Sequence, residues 1–162
     1  MQQIEVRTEI RAPVTSVFDA ISDHEKFFRG YGVKRCVVIT PGKPDRNGLG
    51  SIREIDAGGM QFREEVVRFN RPERFDYLIR SVTLRKRNLP MEHELGWLEF
   101  SERGGVTEVV WRSRFRMKIP LIGNLLARVM KPRAEKSFRA LLRQAKKELE
   151  SNGMAAGAAT GH

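Results

Sequence analysis

The sequence predicts an α+β protein in which one long C-terminal helix covers an antiparallel sheet of about seven strands. Two observations predict this class. Residues 33–118 form a succession of β-type segments separated by short polar turns. Residues 120–150 are rich in helix formers and lack the alternation of a strand. A sheet made of hairpins must cover one face, and the long helix is the element available to do so.

The composition indicates a single basic globular domain. The chain has 162 residues, of which 40% are hydrophobic and 31% are charged, and its formal net charge is +10. We assign residues 1–150 to one domain with its own core and residues 151–162 to a flexible, Gly/Ala-rich tail. The positive charge favours an anionic partner, such as a lipid surface, an acidic protein or a small acid. The alternative is simply an arginine-rich surface.

The same composition argues against several classes of protein. Cys36 is the only cysteine, so no intramolecular disulfide can form and a cysteine-based metal site has no support. No apolar run has the length of a membrane span, and the first residues do not resemble a signal peptide. We therefore expect a cytoplasmic protein, and the composition leaves its oligomeric state open.

The N-terminal part predicts one strand and two short helices. Residues 3–10 alternate apolar and polar side chains, as a half-buried strand does. Pro13 suits a first helical position, and the apolar residues after it fall on one helix face. Ser22 and Glu25 have the spacing of a capping box, which starts a second short helix that carries Phe28.

The middle of the chain predicts a meander of strands. Turns containing glycine, asparagine or proline separate the segments. A longer basic connection, residues 83–90, contains Arg85, Lys86 and Arg87. The predicted strands are 33–40, 51–56, 60–69, 75–81, 91–102 and 106–118.

The final helix, predicted over residues 120–150, carries two apolar stripes. The stripes consist of Ile122, Leu125, Leu126, Val129 and Met130, and of Phe138, Leu141, Leu142, Ala145 and Leu149. At about 100° per residue they point about 140° apart. Pro132 lies between them and removes a helical hydrogen bond, so we expect a kink or a break there. One stripe then covers the sheet, and the other, which we expect to be 122–130, faces a bound ligand.

Three stretches carry a resemblance to a known family. They are APVTSVFDAISDHEKFFRGYG (12–32), FREEVVRFNRPERFDYLI (62–79) and GWLEFSERGGVTEVVWRSRF (96–115). They resemble the START-like, or SRPBCC, superfamily, particularly its polyketide cyclase/dehydrase and lipid-transport branch, and Gly105 and Trp111 take the usual places in the last hairpin. The resemblance covers Gln3 to about Glu150. It implies a helix-grip fold, in which a curved sheet wraps the long helix around a deep apolar cavity.

The resemblance also suggests which residues bind a ligand. Alternation along 106–118 places Trp111 and Phe115 on the inner face and a stripe of arginines on the outer face. We expect Arg85, Lys86 and Arg87 near the mouth, where they would attract an anionic headgroup. The alternative is that the apolar residues only fill a core. The predicted ligand-binding residues are Phe28, Met60, Phe62, Tyr77, Ile79, Met91, His93, Trp97, Trp111, Phe115, Leu125 and Val129.

The sequence contains no metal or cofactor signature. His24, His93 and His162 lack the spacing of metal ligands. The glycine-containing loop 41–50 has neither phosphate-binding pattern, and no serine stands in a nucleophile elbow. We therefore predict no metal and no cofactor.

Acid–base chemistry rests on a small set of candidates. His93, Tyr77 and either Glu64 or Glu65 could act on a polyketide-like substrate in an apolar cavity. The interpretation we favour is that one of the glutamates pairs with an arginine across the sheet and that His93 is a rim residue.

Three functions remain open on this basis. The first, which we favour, is the binding of a hydrophobic or amphipathic small molecule or lipid, as a carrier or sensor. The second is a cyclase or dehydratase that uses the acid–base candidates. The third is an interaction module that binds an anionic membrane or an acidic protein through the basic final helix. Nucleic-acid binding is not expected, because no RNP1, KH or helix-turn-helix pattern is present.

Overall fold

The computed structural model describes residues 1–159 and has the element order that the sequence predicts. One strand is followed by two short helices, a run of strands and a long helix. The elements are β1 (Gln2–Ile10), α1 (Val14–Ser22), α2 (His24–Phe27), β2 (Val33–Thr40), β3 (Ile52–Ala57), β4 (Met60–Asn70), β5 (Arg74–Leu84), β6 (Arg87–Asn88), β7 (Met91–Arg103), β8 (Val106–Met117) and α3 (Gly123–Ala159).

The strands form one curved antiparallel sheet. Their order is β1-β8-β7-β5-β4-β3-β2, and the short β6 pairs with β5. Short turns join β3 to β4, β4 to β5 and β7 to β8, such as the turn at Gly58 and Gly59, whose φ angles of 61° and 83° suit glycine. Longer connections join β2 to β3 and β5 to β7, and β1 pairs with the last strand from Gln2↔Phe115 to Ile10↔Thr107. The α+β prediction is thus confirmed.

α3 covers only part of the inner face of the sheet. It packs on β1, β8 and α1, where Leu141, Leu142 and Ala145 are buried. Its contacts concentrate there rather than on β3, β4 and β5. The inner face of these three strands is consequently covered less completely, which positions the candidate site.

The long helix differs from its prediction at Pro132 and at both ends. The prediction of a break is wrong, because α3 runs without interruption through Pro132. Pro132 is exposed, so the carbonyl of Arg128, which loses its helical donor, is on the side that water can reach. The helix begins at Gly123 and continues through residues 151–159. The flexibility of residues 151–162 stays a prediction, and residues 160–162 of this tail lie outside the described part of the chain.

The side chains between the sheet and the helices are packed differently at the two ends of the strands. At one end, Phe18 of α1 is surrounded by Phe69, Phe75 and Phe100, with ring centroids 5.2, 5.8 and 5.0 Å away. We call these four residues the aromatic end. At the opposite end of the strands several apolar side chains are only half-buried, although Ile55, Val82 and Met117 are buried there. We call the half-buried group the open end; it comprises Met60, Phe62, Ile79 and Met91 of the sheet and Leu126 and Met130 of α3.

Candidate functional site

A row of buried polar side chains crosses the inner face between the aromatic end and the open end. Adjacent strands bring the row together, because Arg53 is the register partner of Glu64, and Gly96 is the partner of both Tyr77 and Ser113. No member of the row is more than 8% exposed. Ionisable side chains at this depth need a structural or functional reason. We call this row, which consists of Arg53, Glu64, Tyr77, His93 and Ser113 on the strands together with His24 of α2, the polar belt.

Arg53 and Glu64 form a buried ion pair on β3 and β4. Arg53 Nε donates to Glu64 Oε2 over 3.4 Å, a long contact. Burial raises the pKa of Glu64 despite the nearby guanidinium, and burial lowers the pKa of Arg53. Glu65 lies on the outer face and accepts a hydrogen bond from Arg80 at 2.7 Å. The expectation that a glutamate pairs with an arginine across the sheet is therefore correct for both residues, and Glu64 is the one that faces inward.

His93 of β7 is fixed by hydrogen bonds on both sides of its ring. The backbone N–H of Ile79 donates to His93 Nδ1 at 3.0 Å, so Nδ1 is an acceptor. The proton is thereby assigned to Nε2, which lies 3.0 Å from Ser113 Oγ. Burial lowers the pKa of His93 to about 4, and the ring is neutral at pH 7. The interpretation of His93 as a rim residue is wrong, because its side chain is inside.

Tyr77 of β5 lies flat against Gly96 of β7. A Cβ atom on Gly96 would sit 2.2 Å from Tyr77 Cζ, so the ring fits only because position 96 is glycine. Tyr77 stacks on His93 with ring centroids 5.5 Å apart, and its hydroxyl accepts from Trp111 Nε1 at 3.0 Å. Burial raises the pKa of the Tyr77 hydroxyl. Trp111 in turn stacks on Phe138 of α3 at 3.8 Å, which connects the polar belt to the long helix.

Trp97 does not lie where the alternation predicts it. Its indole is on the outer face, where the guanidinium carbons of Arg74, Arg112 and Arg114 lie 5.8, 5.9 and 5.2 Å from the ring centroid. The register between β7 and β8 shifts between His93 and Leu95, so that one extra residue reverses the alternation. The assignment of Trp97 to the ligand site is therefore wrong.

The first stripe of α3 divides between two environments. Leu125 and Val129 are 65% and 47% exposed, so their assignment to the cavity wall is wrong in this structure. Leu126 and Met130 pack against the core instead. The five residues of the stripe spread too widely around the helix for all of them to face the sheet.

Of the remaining predicted ligand residues on the sheet, Phe62, Ile79 and Met91 pack against the core, and Met60 is not among the described residues that do. Met60, Phe62, Ile79 and Met91 belong to the open end and lie half-buried on β4, β5 and β7. Nearer the polar belt, Phe28, Trp111 and Phe115 are buried, and the ring centroids of Phe28 and His24 are 5.0 Å apart. Their binding of a ligand stays a prediction.

The basic residues Arg85, Lys86 and Arg87 lie at the tip of the sheet beside the open end. Arg85 and Lys86 form the β5–β6 turn with φ angles of 49° and 66°, and all three residues are exposed. The backbone N–H of Arg85 donates to the carbonyl of Gly59 at 3.1 Å, which holds this turn against the β3–β4 hairpin. Their position at the end where Met60 lies agrees with a role at the mouth, which stays a prediction.

The arginine stripe of β8 faces outward as predicted, but carboxylates neutralise it. Arg112 pairs with Glu5 at 2.7 Å and also with Glu99, while Arg114 pairs with Glu94 at 3.2 Å. Such pairs leave little free positive charge on this face of the sheet. Within residues 1–159, exposed basic residues that are free of such pairs lie elsewhere, for example on α3 and on the β5–β6 turn.

Two surface depressions lie outside the inner face. One of about 250 Å³ lies on the outer side of β3–β5 and includes Glu54, Arg63 and Thr83. The other, of about 570 Å³, lies beside the β4–β5 turn and includes Arg68 and Glu73. Both are open and lined largely by charged or polar side chains, so neither is suited to bury a hydrophobic molecule.

The described residues hold no cluster of metal ligands and no membrane span. Within residues 1–159, no three His, Cys, Asp or Glu side chains are grouped as metal ligands would be. His162 lies outside the described residues. Burial raises the pKa of the Cys36 thiol to about 12, which makes it a poor nucleophile. Among the described helices, none has the length and apolar character that a membrane span requires.

Comparisons with known proteins agree with this architecture. A sequence profile described as "Polyketide cyclase / dehydrase and lipid transport" matches residues 1–150. A START superfamily protein from Mycobacterium smegmatis superposes with a TM-score of 0.72 at 12% identity, covering 91% of this chain and 98% of that one. A protein from Thermus thermophilus gives 0.69 at 17% identity, covering 93% and 99%. No curated protein sequence matches. The structural likeness confirms the START-like helix-grip fold and, at these identities, the fold alone.

Proposed function

The chain belongs to the polyketide cyclase/dehydrase and lipid-transport family, and from this premise we propose that it binds a hydrophobic or amphipathic small molecule between the sheet and α3. The observation that carries the proposal is the open end. Apolar side chains that a packed core would bury are half-buried there, and the polar belt lies directly behind them. A predominantly apolar wall with a few convergent polar groups is the usual construction of a small-molecule site.

The chemistry of the open end supports a ligand with an apolar body. Met60, Met91 and Met130 have flexible, polarisable side chains that adapt to different shapes. Phe62 adds a flat apolar surface. Burial of the ligand contributes on the order of 25 cal/mol per Å² of apolar surface, so a body that fills this region supplies most of the affinity.

The proposal can be tested with the purified protein. Native mass spectrometry, solvent extraction and titration with a hydrophobic fluorescent probe should each reveal a bound ligand. The Phe62→Glu variant places a charge on the inner face and should lower probe affinity about tenfold or more. Gln61→Glu adds the same charge to the outer face of the same strand and should leave affinity unchanged. A wild-type protein that carries no ligand and binds no probe would contradict the proposal.

A second candidate function is docking on an anionic membrane, and the exposed ridge of α3 favours it. Four apolar side chains are exposed here, namely Leu121 and Ile122 just before α3 and Leu125 and Val129 in its first two turns. Arg128 lies beside them and forms no ion pair with the described residues, and further exposed basic residues follow along the helix. An apolar ridge flanked by cations inserts at the boundary of anionic headgroups. Docking there would bring a lipid surface next to Leu126 and Met130, which line the open end.

Vesicle sedimentation tests the docking. Vesicles that contain phosphatidylserine should bind the protein, pure phosphatidylcholine vesicles should bind it less, and about 0.5 M salt should release it. Leu125→Glu/Val129→Glu should abolish binding. Ser151→Glu/Met154→Glu adds the same two charges farther along α3 and should reduce binding only slightly. Equal losses in both double variants would indicate net charge rather than a docking ridge.

The enzymatic alternative, a cyclase or dehydratase, is favoured by one observation. Burial raises the pKa of the Glu64 carboxyl, and burial together with the negative charge of Glu64 raises the pKa of Tyr77. Such an environment is found at acid–base sites. His93 is a weaker candidate, because both of its ring nitrogens already have partners inside the protein. If His93 and Tyr77 variants lost turnover of a polyketide-like substrate but kept ligand affinity, catalysis would be supported; unchanged turnover would contradict it.

A further inference from the structure

Three buried nitrogen atoms at one side of the polar belt lack hydrogen-bond partners. They are Arg53 Nη2 and both ring nitrogens, Nδ1 and Nε2, of His24, for which no partner exists among residues 1–159. Both side chains are only 1% exposed. Buried polar groups in native proteins are nearly always hydrogen-bonded, so a cluster of unpartnered ones calls for an explanation. A ligand atom that completes these bonds is one such explanation.

The two side chains determine which kind of ligand atom fits. Arg53 can only donate hydrogen bonds, and a neutral imidazole donates from one nitrogen. Burial and the positive charge of Arg53 together lower the pKa of His24 well below its usual value, so His24 is neutral at pH 7. Val38, the register partner of Arg53, donates its backbone N–H to Glu25, the residue after His24, at 2.9 Å, so α2 packs beside the strand position of Arg53. Two unpartnered donors in one buried region suit an oxygen that only accepts.

The charge of the surroundings favours an uncharged oxygen. Arg53 already has Glu64 as its counter-charge on the neighbouring strand. A ligand carboxylate would place a second negative charge beside Glu64 in a buried region, which is unfavourable unless Glu64 takes up a proton. A carbonyl oxygen accepts the same hydrogen bonds without adding charge.

The strand register places Arg53 at the side of the open end that adjoins the polar belt. Arg53 and Glu64 form one row, Ile55 and Phe62 the next, and Ala57 and Met60 the outermost. At about 3.4 Å per strand residue, the first and third rows are about 14 Å apart. A molecule with an apolar body in the outer rows would thus present its head to the first row.

We infer that Arg53 and His24 form a subsite for the carbonyl oxygen of an uncharged, otherwise apolar ligand whose body lies in the open end. The inference rests on the proposed ligand-binding function and specifies the class of ligand. It explains why an arginine and a histidine are buried together on a face that is otherwise mostly apolar. Arg53 and His24 are binding residues in this scheme, and no chemical step is assigned to them.

A matched pair of probes tests the subsite. The first is an acylated dimethylaminonaphthalene dye, whose ketone is the only acceptor oxygen, and the second is the parent dye without the acyl group. Wild-type protein should bind the ketone dye more tightly and lower its carbonyl infrared stretch relative to the value in a hydrocarbon solvent. His24→Leu and the pair-replacing variant Arg53→Met/Glu64→Leu should each weaken ketone binding about 10-fold or more and return the stretch toward the hydrocarbon value.

Controls separate the subsite from packing and from the proposed function. Both variants should bind the parent dye as the wild type does, and Arg63→Met, which removes an exposed arginine of the same sheet, should change neither dye. Equal losses for both dyes, or an unshifted carbonyl stretch in the wild type, would overturn the subsite while leaving ligand binding intact. If neither dye bound the wild type, the proposed function itself would be contradicted. If the double variant did not fold, His24→Leu and the wild-type spectrum would decide.

Discussion

The aromatic end and the open end are built from the same strands, yet they are packed in opposite ways. Phe18 of α1 is completely buried among three rings of β4, β5 and β7. Met60 and Phe62, farther along the inner face of β4, remain half-buried. The difference follows from which helices cover each end, since α1 reaches the aromatic end only. One sheet thereby provides a rigid half that holds the fold and an adaptable half that can accept a ligand.

The largest expected effect is a difference in the loss of stability when an apolar side chain is truncated at the aromatic end or at the open end. Phe18→Ala should lower the free energy of unfolding by about 3–5 kcal/mol, because it leaves a cavity between rings that cannot collapse. Met60→Ala should cost about 1 kcal/mol, since water already reaches that side chain. Urea denaturation measures both values. Similar costs at the two ends would break the division into a rigid and an adaptable half.

The pH dependence of stability probes the boundary between the ends. The pKa of His93 is about 4 in the folded protein against 6.5 ordinarily, so the unfolded chain binds more protons between these values. Stability is full above about pH 6.5 and falls as the pH decreases toward 4. At about 1.4 kcal/mol per pH unit the loss from His93 approaches about 3 kcal/mol. The His93→Gln variant should lose less stability than the wild type over this pH interval. Because His24 and the carboxyl groups are present in both proteins, the difference between the two profiles reports His93. Identical pH profiles would contradict the buried, neutral state of His93.

A smaller effect is expected where Tyr77 crosses Gly96. Gly96→Ala should cost about 1–3 kcal/mol, because the new methyl would overlap the Tyr77 ring and move its hydroxyl away from Trp111. Tryptophan fluorescence and urea denaturation should report the change together. Gly153→Ala, at a helical position with nothing within 4 Å, is the control and should stabilise by up to about 1 kcal/mol.

The smallest effect on stability is expected on the outer face of β4, behind the open end. Arg63 pairs with Glu54 at 2.7 Å, and both side chains are about half exposed. Arg63→Met should change the free energy of unfolding by less than about 1 kcal/mol, because exposed ion pairs contribute little. Ligand affinity should remain that of the wild type. A marked loss of probe binding would show that the outer surface takes part in recognition.

The parts of the structure that follow from local patterns could be predicted from the sequence. Alternation and turn residues located the strands, and helical periodicity located α3. The errors occur where a distant contact decides. One extra residue at Glu94 shifts the register, so Trp97 lies on the outer face. Leu125 is exposed because the sheet lies against another side of α3, and the helical pattern alone does not indicate where the sheet is. Pro132 failed as a breaker because a continuing helix loses only one hydrogen bond there.

The burial of Arg53 and His24 in the polar belt was missed for a different reason. Arg53 and His24 are of residue types that usually lie at the surface, and only the assembled sheet and helices bury them. One signal was available, because a glycine inside a strand, as at Gly96, often marks the close approach of another group. That signal indicates only that some group approaches Gly96 closely. The structure identifies the group as the ring of Tyr77.

The pairing of β1 with β8 has a consequence for how the protein forms. The partner of Ile4 is Ser113, so the first strand of the domain must wait for its last strand, β8, before its edge is paired. Contacts this far apart in the chain slow folding, typically to the millisecond-to-second range. Until then the N-terminal strand is an unprotected edge of the kind that favours association with other chains. A nascent chain that ends before β8 can therefore complete neither the sheet nor the surface on which α3 packs, and the domain is expected to fold only after β8 has been synthesised.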